Sequence, residues 1–476
     1  MALDRLSPLD TSFLDVEDSV NQMHIGSVLI LEGPPPPLAT FLAMVQGKLP
    51  SVPRYRQVMR RVAFEVGRPV WIDDPDFDLD YHVRRAALPA PGRMEEMREL
   101  VGDLMGWPLD RQRPLWELWM VEGLEGGLWA VVAKVHHCMV DGVGGAELLS
   151  LILDVTPEAS PLATEAWCPG PMPSSGDLLM RSVSEISSSS RDVVRRLRPS
   201  VASMPNLAQV RELARGVSSA ARVVKPMAPS SLNGPIGSSR RWAATSVPVA
   251  DIKAVRSSLG GGFNDVALAA VTRGFRGLLE KRGECVDRTI RALVPVSVRA
   301  RDRAGRAIGD GTLANKVSAV FAELPIGLDD PVERLADLSA QMTAAKEANE
   351  AQVGESFTSL LRYIPPALLA LGVHLFGKAA QRNVNTVTTN IPGPQFPLYA
   401  AARRMIRAYP YVPIGMQMRI GVAMLSYDGE VNFGITGDYD HAPDVEVMAE
   451  GISLGMDEML TAAGAAPSIP RSLSLV

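Results

Sequence analysis

Segments with the hydrophobic period of a helix alternate with short apolar runs typical of strands along the first half of the chain. Apolar positions that recur every three to four residues predict helices over residues 38–49, 94–105 and 145–153. Short β-prone apolar runs predict strands over residues 24–31, 114–122 and 128–136. Helices that alternate with strands are typical of an α/β fold.

The second half of the chain has the same mixed character. Asn264 and Asp265 precede a helical run of apolar residues, and residues 289–298 have the pattern of a strand. Asp330 and Pro331 begin a further helix, because a capping carboxylate is followed by proline at the first helical position. Residues 424–433 predict a hairpin, since their central Asp-Gly pair tolerates positive φ at the turn.

A stretch rich in serine, proline and glycine separates the two halves. It covers residues 157–190, and arginines mixed with apolar residues follow it as far as Lys225. We therefore divide the chain into residues 1–160, a linker with basic amphipathic helices over 161–230, and residues 231–476. The basic segment is interpreted as a connector packed on the domains, and a helix lying on an anionic membrane surface is the alternative.

Composition narrows the class of protein. The chain has 476 residues, of which 46% are hydrophobic and 21% charged, as in a globular protein with two sizeable cores. A net charge of −5 gives no support to nucleic-acid binding. Three cysteines without metal-ligand spacing fit a reducing compartment. We expect a cytoplasmic protein without a transmembrane helix, because no signal-peptide pattern begins the chain and its most apolar run is short.

The most informative local pattern is a pair of histidines followed by an aspartate and a glycine: His136, His137, Asp141 and Gly142. The apolar run before them predicts a strand that ends at the histidines, with a tight turn and a helix after it. Side chains alternate along a strand, so His137 shares a face with Val135 and His136 points the opposite way. Diverging imidazoles do not converge on one ion, and no metal site is expected there.

One histidine, an aspartate and no evident nucleophile suit direct acyl transfer from a thioester to an alcohol. An alcohol hardly ionises at neutral pH, so a base must take its proton during attack, which contributes about 10²- to 10⁴-fold. His137 is the predicted general base and His136 supports it. Asp141 either orients the imidazole or pairs with an arginine to brace the turn, and Gly142 provides a backbone conformation that a Cβ would obstruct. For the motif taken alone, a histidine satisfied in the core is the alternative.

Cys138 introduces the alternative of a cysteine nucleophile. Neighbouring residues on a regular strand diverge, whereas a nucleophile must lie within hydrogen-bond reach of its base. An inert thiol is therefore predicted.

Several segments along most of the chain together resemble a known family. They are Leu6-Ser7-Pro8-Leu9-Asp10, Met23-His24-Ile25-Gly26, Pro114-Leu115-Trp116, the histidine motif, Leu232-Asn233-Gly234-Pro235-Ile236, Asn264-Asp265 and Thr389-Asn390-Ile391-Pro392-Gly393-Pro394. This set is similar to the bacterial wax ester synthases and acyl-CoA:diacylglycerol acyltransferases, which make storage triacylglycerols and wax esters. The histidine motif is shared with condensation domains of peptide synthetases, so its companions supply the specificity.

The resemblance implies a fold and a reaction. The expected fold is α/β, with two pseudo-duplicated chloramphenicol-acetyltransferase-like (CoA-dependent acyltransferase) domains, mixed sheets and one active site at their interface. In this family the second histidine of the motif is the base, which matches His137. The expected reaction forms triacylglycerol from long-chain acyl-CoA and diacylglycerol, or wax esters from long-chain alcohols, without a covalent enzyme intermediate.

The resemblance also implies the partners. Long-chain acyl-CoA is the donor substrate, and neither a permanently bound cofactor nor a metal is expected. Because both substrates are lipids, peripheral contact with the inner membrane or with lipid droplets is expected. An acyltransferase with an amine or a carrier-bound alcohol as acceptor, and a non-catalytic lipid-droplet or membrane-surface protein, are the competing classes.

A polar strand end is the candidate for the oxyanion site. Thr388, Thr389 and Asn390 precede the rigid turn that contains Pro392 and Gly393. They are therefore candidates for donating a hydrogen bond to the developing oxyanion, a contribution of about 10²- to 10³-fold in other enzymes.

Two further motifs are interpreted as structural. Asn264 or Asp265 is predicted to cap or brace the helix that follows. Pro114, Leu115 and Trp116 open a strand, where a leading proline is tolerated, and are predicted to pack in the core.

Overall fold

Helices and strands interleave throughout the computed structural model, which describes residues 3–139, 145–158, 167–184, 228–297, 317–352, 384–415 and 417–468. The helices are α1 (Pro8–Val16), α2 (Leu38–Lys48), α3 (Leu79–His82), α4 (Met94–Gly106), α5 (Gly145–Ile152), α6 (175–184), α7 (Val249–Leu259), α8 (Phe263–Lys281), α9 (Pro331–Gln352) and α10 (Glu446–Ala462). The strands are β1 (His24–Leu31), β2 (Gln57–Arg60), β3 (Val70–Asp73), β4 (Val83–Ala87), β5 (Trp116–Glu122), β6 (Trp129–His136), β7 (Arg240–Pro248), β8 (Ile290–Ser297), β9 (Val317–Leu324), β10 (Thr386–Pro392), β11 (Tyr399–Ala400), β12 (Arg403–Tyr411), β13 (Ile420–Tyr427) and β14 (Glu430–Asp438).

Two six-stranded sheets form the framework. The first has the strand order β11-β12-β1-β6-β5-β4 and the second β7-β14-β13-β10-β8-β9. Both are mixed, because β4 runs parallel to β5 in the first sheet and β10 runs parallel to β8 and β13 in the second. The predicted α/β class with mixed sheets is confirmed.

One strand from the C-terminal part of the chain belongs to the first sheet. β12 pairs antiparallel with β1, from Gly26 opposite Tyr411 to Leu31 opposite Met405, before the chain returns to the second sheet as β13. The predicted division of the chain at residues 160 and 230 stays a prediction. The topology adds that the segment predicted as the last domain contributes β11 and β12 to the first sheet.

Apolar side chains from α4 and from both sheets pack together between the sheets. Val101 of α4, Trp242 of β7 and Tyr409 of β12 belong to one buried cluster. A separate core lies under the second sheet against α8 and α10. Burial of such surfaces is the main favourable term in folding, so the two sheets stabilise one another through α4 and β12.

Most predicted elements match the structure closely. β1 has the predicted bounds, β6 and β8 each begin one residue later than predicted, and Asp428 (φ 42°) and Gly429 (φ 88°) form the predicted hairpin turn. Asp330 caps α9 through a 2.7 Å hydrogen bond from the Val332 N–H.

Helix α6 was not predicted and lies in the segment interpreted as a linker. Ser174 and Asp177 form a capping box at its start, since the Asp177 N–H donates to Ser174 Oγ at 3.1 Å and the Ser174 N–H donates to Asp177 Oδ2 at 3.2 Å. Leu178 packs against Val70 and Ile72 of β3. None of the helices in the described ranges is long and apolar enough to cross a bilayer.

The contact between β12 and β14 yields a test of the fold. A Cβ added at Gly434 of β14 would lie 1.7 Å from the backbone oxygen of Pro410 in β12. Backbone atoms cannot rotate away as a flexible side chain would, so Gly434→Ala should separate the strands. We expect the free energy of unfolding to fall by about 2 to 3 kcal/mol in chemical denaturation.

Gly176→Ala in α6 is the matched control, because the nearest atom to the added Cβ would be Ser174 Oγ at 3.7 Å. It should leave the free energy of unfolding unchanged or slightly raised, since alanine favours a helix. Equal stability of Gly434→Ala and the unaltered protein would contradict the close approach of the two strands.

Candidate active site

Strand β6 ends at His136, and the chain then turns through a short 3-10 helix, His137–Met139. The Cys138 N–H donates to His136 Nδ1 at 3.0 Å, a local bond within the turn. His24 of β1 lies opposite His136 at the end of the ladder. The predicted alternation of faces therefore applies along β6 but not to His137, which lies in the turn.

His136 is completely buried beside an acidic side chain from the end of α1. Its Nε2 lies 3.3 Å from Glu17 Oε1. The same carboxylate oxygen accepts the Met23 N–H at 3.1 Å, and Oε2 accepts from Arg111 Nη2 at 2.6 Å and Nε at 3.0 Å. Because His136 Nδ1 accepts a hydrogen bond, Nε2 is the nitrogen that carries a proton towards Glu17.

Glu17 is charged at neutral pH. Burial by itself would raise the pKa of the Glu17 carboxyl, but the contacts with His136, Arg111 and Met23 outweigh it and lower this pKa to about 2. A buried carboxylate is stable only with such partners.

His137 differs from His136 because its side chain is partly exposed. Its backbone N–H donates to the Met23 carbonyl at 2.8 Å, and Phe13 of α1 stacks on its ring with centroids 4.0 Å apart. Nδ1 is buried and has no hydrogen-bond partner in the described part of the chain. Burial lowers the pKa of the His137 imidazole to about 4, so the ring is unprotonated at neutral pH.

The thiol of Cys138 is buried next to His137. Burial raises its pKa well above the ordinary range of a thiol. A protonated, enclosed thiol is a poor nucleophile, which favours the predicted inert role.

The other two residues of the histidine motif, Asp141 and Gly142, lie outside the described residues. Their predicted roles stay predictions. Helix α5 resumes the described chain at Gly145, as the pattern predicted.

The Pro114-Leu115-Trp116 motif lies beside the end of β6. The Leu115 carbonyl accepts the His136 N–H at 2.9 Å. Trp116 is fully buried, donates from Nε1 to the Tyr55 carbonyl at 2.8 Å and stacks on His82. The motif thus supports the backbone of the histidine strand and packs in the core.

Asn264 and Asn390, from two distant motifs, meet at the start of α8 and the end of β10. Asn390 Nδ2 donates to Asn264 Oδ1 at 2.5 Å, whereas Asn390 Oδ1 is buried without a hydrogen-bond partner among the described residues. Thr388 is fully buried, and its hydroxyl likewise has no partner there. Thr389 is partly exposed.

The remaining motif residues of the second half brace the backbone. Asp265 accepts the Gly262 N–H at 2.7 Å and so caps α8. Pro392 ends β10, and the Gly393 N–H donates to Ser426 Oγ at 3.1 Å. A Cβ at Gly393 would lie 2.2 Å from the Ser426 carbonyl oxygen, so this position requires glycine.

Sequence reasoning missed the residues of α1 that contact both histidines. Phe13 and Glu17 lie one helical turn apart, directly after the Leu6-to-Asp10 motif. That motif was a signal for the region, but the sequence contains nothing that pairs Glu17 with His136.

Three observations on the described residues show what is not joined to His137 or formed around it. Neither a hydrogen bond nor a ring contact of the described residues joins His137 to Asn390. The described His, Cys, Asp and Glu side chains form no group of three that could bind a metal ion. A groove of about 410 Å³ lies between Gly261 and α9, and His137 does not line it.

Two mixed sheets with a histidine directly after a strand end match the architecture expected of a CoA-dependent acyltransferase. The chain belongs to the wax ester synthase/diacylglycerol acyltransferase family: the model of its catalytic domain matches residues 6–267, and the model of its C-terminal domain matches residues 313–460. It is therefore an acyltransferase.

Similar proteins have been named in mycobacteria. The chain is 38% identical over 456 residues to a probable diacylglycerol O-acyltransferase, tgs1, of Mycobacterium tuberculosis, with 94% of each chain covered. A putative diacylglycerol O-acyltransferase of Mycobacterium bovis matches to the same extent.

Solved structures agree on the architecture. The wax ester synthase/diacylglycerol acyltransferase of Marinobacter aquaeolei VT8 is 25% identical, with a TM-score of 0.67 over 97% of this chain and all of the other. The trichothecene 15-O-acetyltransferase TRI3 of Fusarium sporotrichioides, 11% identical, has a TM-score of 0.60 over 96% of this chain and 98% of its own, which shows a shared fold.

Thiol labelling tests the environment next to His137. Cys168 and Cys285 are exposed and Cys138 is buried, so iodoacetamide at pH 8 should modify the first two in the native protein. Cys138 should react only after denaturation, as peptide mass spectrometry would record. Labelling of Cys138 at the rate of the other two would contradict its burial and its raised pKa.

Proposed function

We propose that this enzyme transfers the acyl group of long-chain acyl-CoA to the hydroxyl of diacylglycerol, forming triacylglycerol, and that long-chain alcohols are second acceptors that yield wax esters. The names of the mycobacterial relatives support the diacylglycerol acceptor, and the name of the Marinobacter enzyme supports both. The observation that carries the proposal is the partly exposed, unprotonated imidazole of His137.

His137 is the general base in this proposal. His136 is sealed from solvent and directs its two ring nitrogens at Cys138 and Glu17, so it cannot accept a proton from a substrate. His137 is only partly buried as a residue, and its ring is uncharged at neutral pH. It takes the proton of the acceptor hydroxyl as that oxygen attacks the thioester carbon.

The thioester C–S bond then breaks, and the departing CoA thiolate takes the proton from His137. The ester product and free CoA account for every atom. A covalent acyl-enzyme is not needed, and the raised pKa of the Cys138 thiol disfavours one.

The developing oxyanion needs a donor, for which Thr388, Thr389 and Asn390 remain the candidates. After donating to Asn264, the Asn390 amide retains a second N–H, and the Thr388 hydroxyl has no partner among the described residues. Donors without an acceptor can form hydrogen bonds to the oxyanion of a tetrahedral intermediate.

The site must also exclude water, because a base that activates an alcohol would also activate water and hydrolyse acyl-CoA. Phe13 covers one face of the His137 ring and so contributes to this exclusion. We propose further that the enzyme works without a bound cofactor or metal, and that it contacts the cytoplasmic membrane or lipid droplets peripherally, where its lipid substrates lie.

An acceptor panel tests the reaction. Purified enzyme with palmitoyl- or oleoyl-CoA and diacylglycerol should release CoA thiol and form triacylglycerol, and His137→Ala should lower this rate at least about 10²-fold. His441→Ala is the matched control, because His441 pairs with Asp438 in the second sheet at 2.6 Å and should leave the rate unchanged.

The other outcomes of the acceptor panel would change the assigned base, the assigned acceptor or the assignment as an enzyme. Full turnover by folded His137→Ala would show that the base is wrongly assigned. Thiol release with a long-chain alcohol but not with diacylglycerol would identify a wax ester synthase, and release only with an amine or a carrier-bound alcohol would identify another acyltransferase. Droplet binding without turnover on any acceptor would favour a non-catalytic protein.

The pH profile tests the state of the base. Because burial lowers the pKa of His137 to about 4, the ring is unprotonated at neutral pH and gains a proton only as the pH falls through that value. The pH dependence of kcat/KM reports groups of the free enzyme. Titration of His137 should therefore leave kcat/KM constant from about pH 8 to 6 and should make it decline near pH 4. Activity recovered at pH 7 controls for denaturation, and a half-loss near pH 6.5 would contradict the lowered pKa.

A further inference from the structure

We propose that Glu17 is a positioning residue, whose carboxylate fixes the backbone on both sides of His137. The inference deepens the proposed function and rests on His137 acting as the base. Glu17 lies at the end of α1, far along the chain from the histidine motif.

The backbone before the base depends on Met23. The His137 N–H donates to the Met23 carbonyl at 2.8 Å, and the N–H of the same Met23 donates to Glu17 Oε1 at 3.1 Å. A shift of Glu17 would therefore move the residue that orients His137.

The backbone after the base depends on His136. The Cys138 N–H donates to His136 Nδ1, and the opposite nitrogen of that ring faces Glu17 Oε1 at 3.3 Å. The carboxylate favours the tautomer with its proton on Nε2, and only that tautomer leaves Nδ1 free to accept the Cys138 N–H. Both supports of the base thus converge on one oxygen atom.

The carboxylate itself is fixed in place. Arg111 donates two hydrogen bonds to Oε2 and a third from Nη2 to the Leu14 carbonyl at 3.1 Å. The side chain of Glu17 is only 8% exposed. Its charge is balanced by Arg111, so the oxygen that faces His136 and Met23 has little freedom to move.

The same turn of α1 also contacts the ring of the base. The Glu17 N–H donates to the Phe13 carbonyl at 3.2 Å, and Phe13 stacks on His137. Loss of the Glu17 side-chain contacts should loosen the backbone of His137, and movement of that backbone would shift the ring against Phe13. A ring that is better solvated regains a pKa nearer its ordinary value.

Other charged and titratable groups face this cluster. His24 lies opposite His136 on β1, Lys134 precedes it on β6, and Asp10 of α1 faces Cys138. Lys134 donates to the Leu104 carbonyl at 2.8 Å, and His24 contacts the Met105 carbonyl at 2.8 Å, so both have partners of their own. Neither of these hydrogen bonds involves Glu17, although its charge raises the pKa of both side chains.

The test compares Glu17→Ala and Glu17→Gln with the unaltered enzyme in transfer from palmitoyl-CoA to diacylglycerol. We expect Glu17→Ala to lower kcat on the order of 10²-fold, with KM for palmitoyl-CoA within about twofold, because a base displaced by about 1 Å loses that much. Glu17→Gln should restore part of kcat, since its amide oxygen can still accept from Met23 and His136. The acid limb of kcat/KM should move up from about pH 4 towards 6.5 in Glu17→Ala.

Asp444→Asn is the matched control, because it breaks another partly buried arginine–carboxylate pair, with Arg282, in the second half of the chain. It should lower Tm without moving kcat or the acid limb. Selective ¹⁵N-histidine labelling should show that His136 loses its single neutral tautomer in Glu17→Ala and retains it in Asp444→Asn.

Three outcomes would overturn the inference: unchanged kcat in Glu17→Ala, a fall in kcat without movement of the acid limb, or an unchanged His136 tautomer. If Glu17→Ala fails to fold, the same criteria apply to Glu17→Gln with smaller shifts. Activity of His137→Ala would instead refute the proposed base, and absence of turnover in the unaltered enzyme would refute the proposed reaction. In both cases the tautomer still reports whether Glu17 fixes the ring.

Discussion

The complete burial of His136 is the constraint on which the rest of the site depends. An imidazole without access to water is destabilising unless protein groups meet its nitrogens. Here Cys138 donates to Nδ1, and Glu17 lies opposite Nε2. The first of these contacts lies where β6 ends, and the next residue, His137, begins the 3-10 turn, where it is partly exposed and bonded to the Met23 carbonyl. A buried residue thereby supports the turn that holds His137, the proposed base.

The two halves of the chain cooperate in building this strand end. β6 pairs with β1, and β1 pairs with β12, which comes from the C-terminal part and packs on β14 of the second sheet. The first sheet is therefore incomplete without residues 399–411. The match to the family's catalytic domain covers residues 6–267. Local composition marks a linker, but it does not record which strands pair across it.

Sequence reasoning succeeded where the signal is local. The hairpin at Asp428 and Gly429 needs only adjacent residues in a strained turn, and β1 needs only its own apolar run. It failed where distant segments meet: neither the pairing of β12 with β1 nor the contact of Glu17 with His136 leaves a mark in neighbouring residues. The predicted alternation of side chains was extended one residue too far, because β6 ends at His136 and His137 lies in the turn that follows.

The low pKa of His137 has a chemical consequence for the proposed reaction. A weak base is unprotonated at the pH of the cell, but it takes a proton reluctantly, and the imidazolium is costly in a buried site. A weakly basic imidazole gives up its proton readily, which is an advantage when that proton must pass to the leaving thiolate. In thioester cleavage the leaving thiolate collects the proton that the alcohol gave up, so the ring carries charge only between the two events. A base that lies in a partly buried turn, with its backbone fixed on both sides, suits such a relay better than a solvated histidine of ordinary pKa, which would be partly protonated before the alcohol arrived.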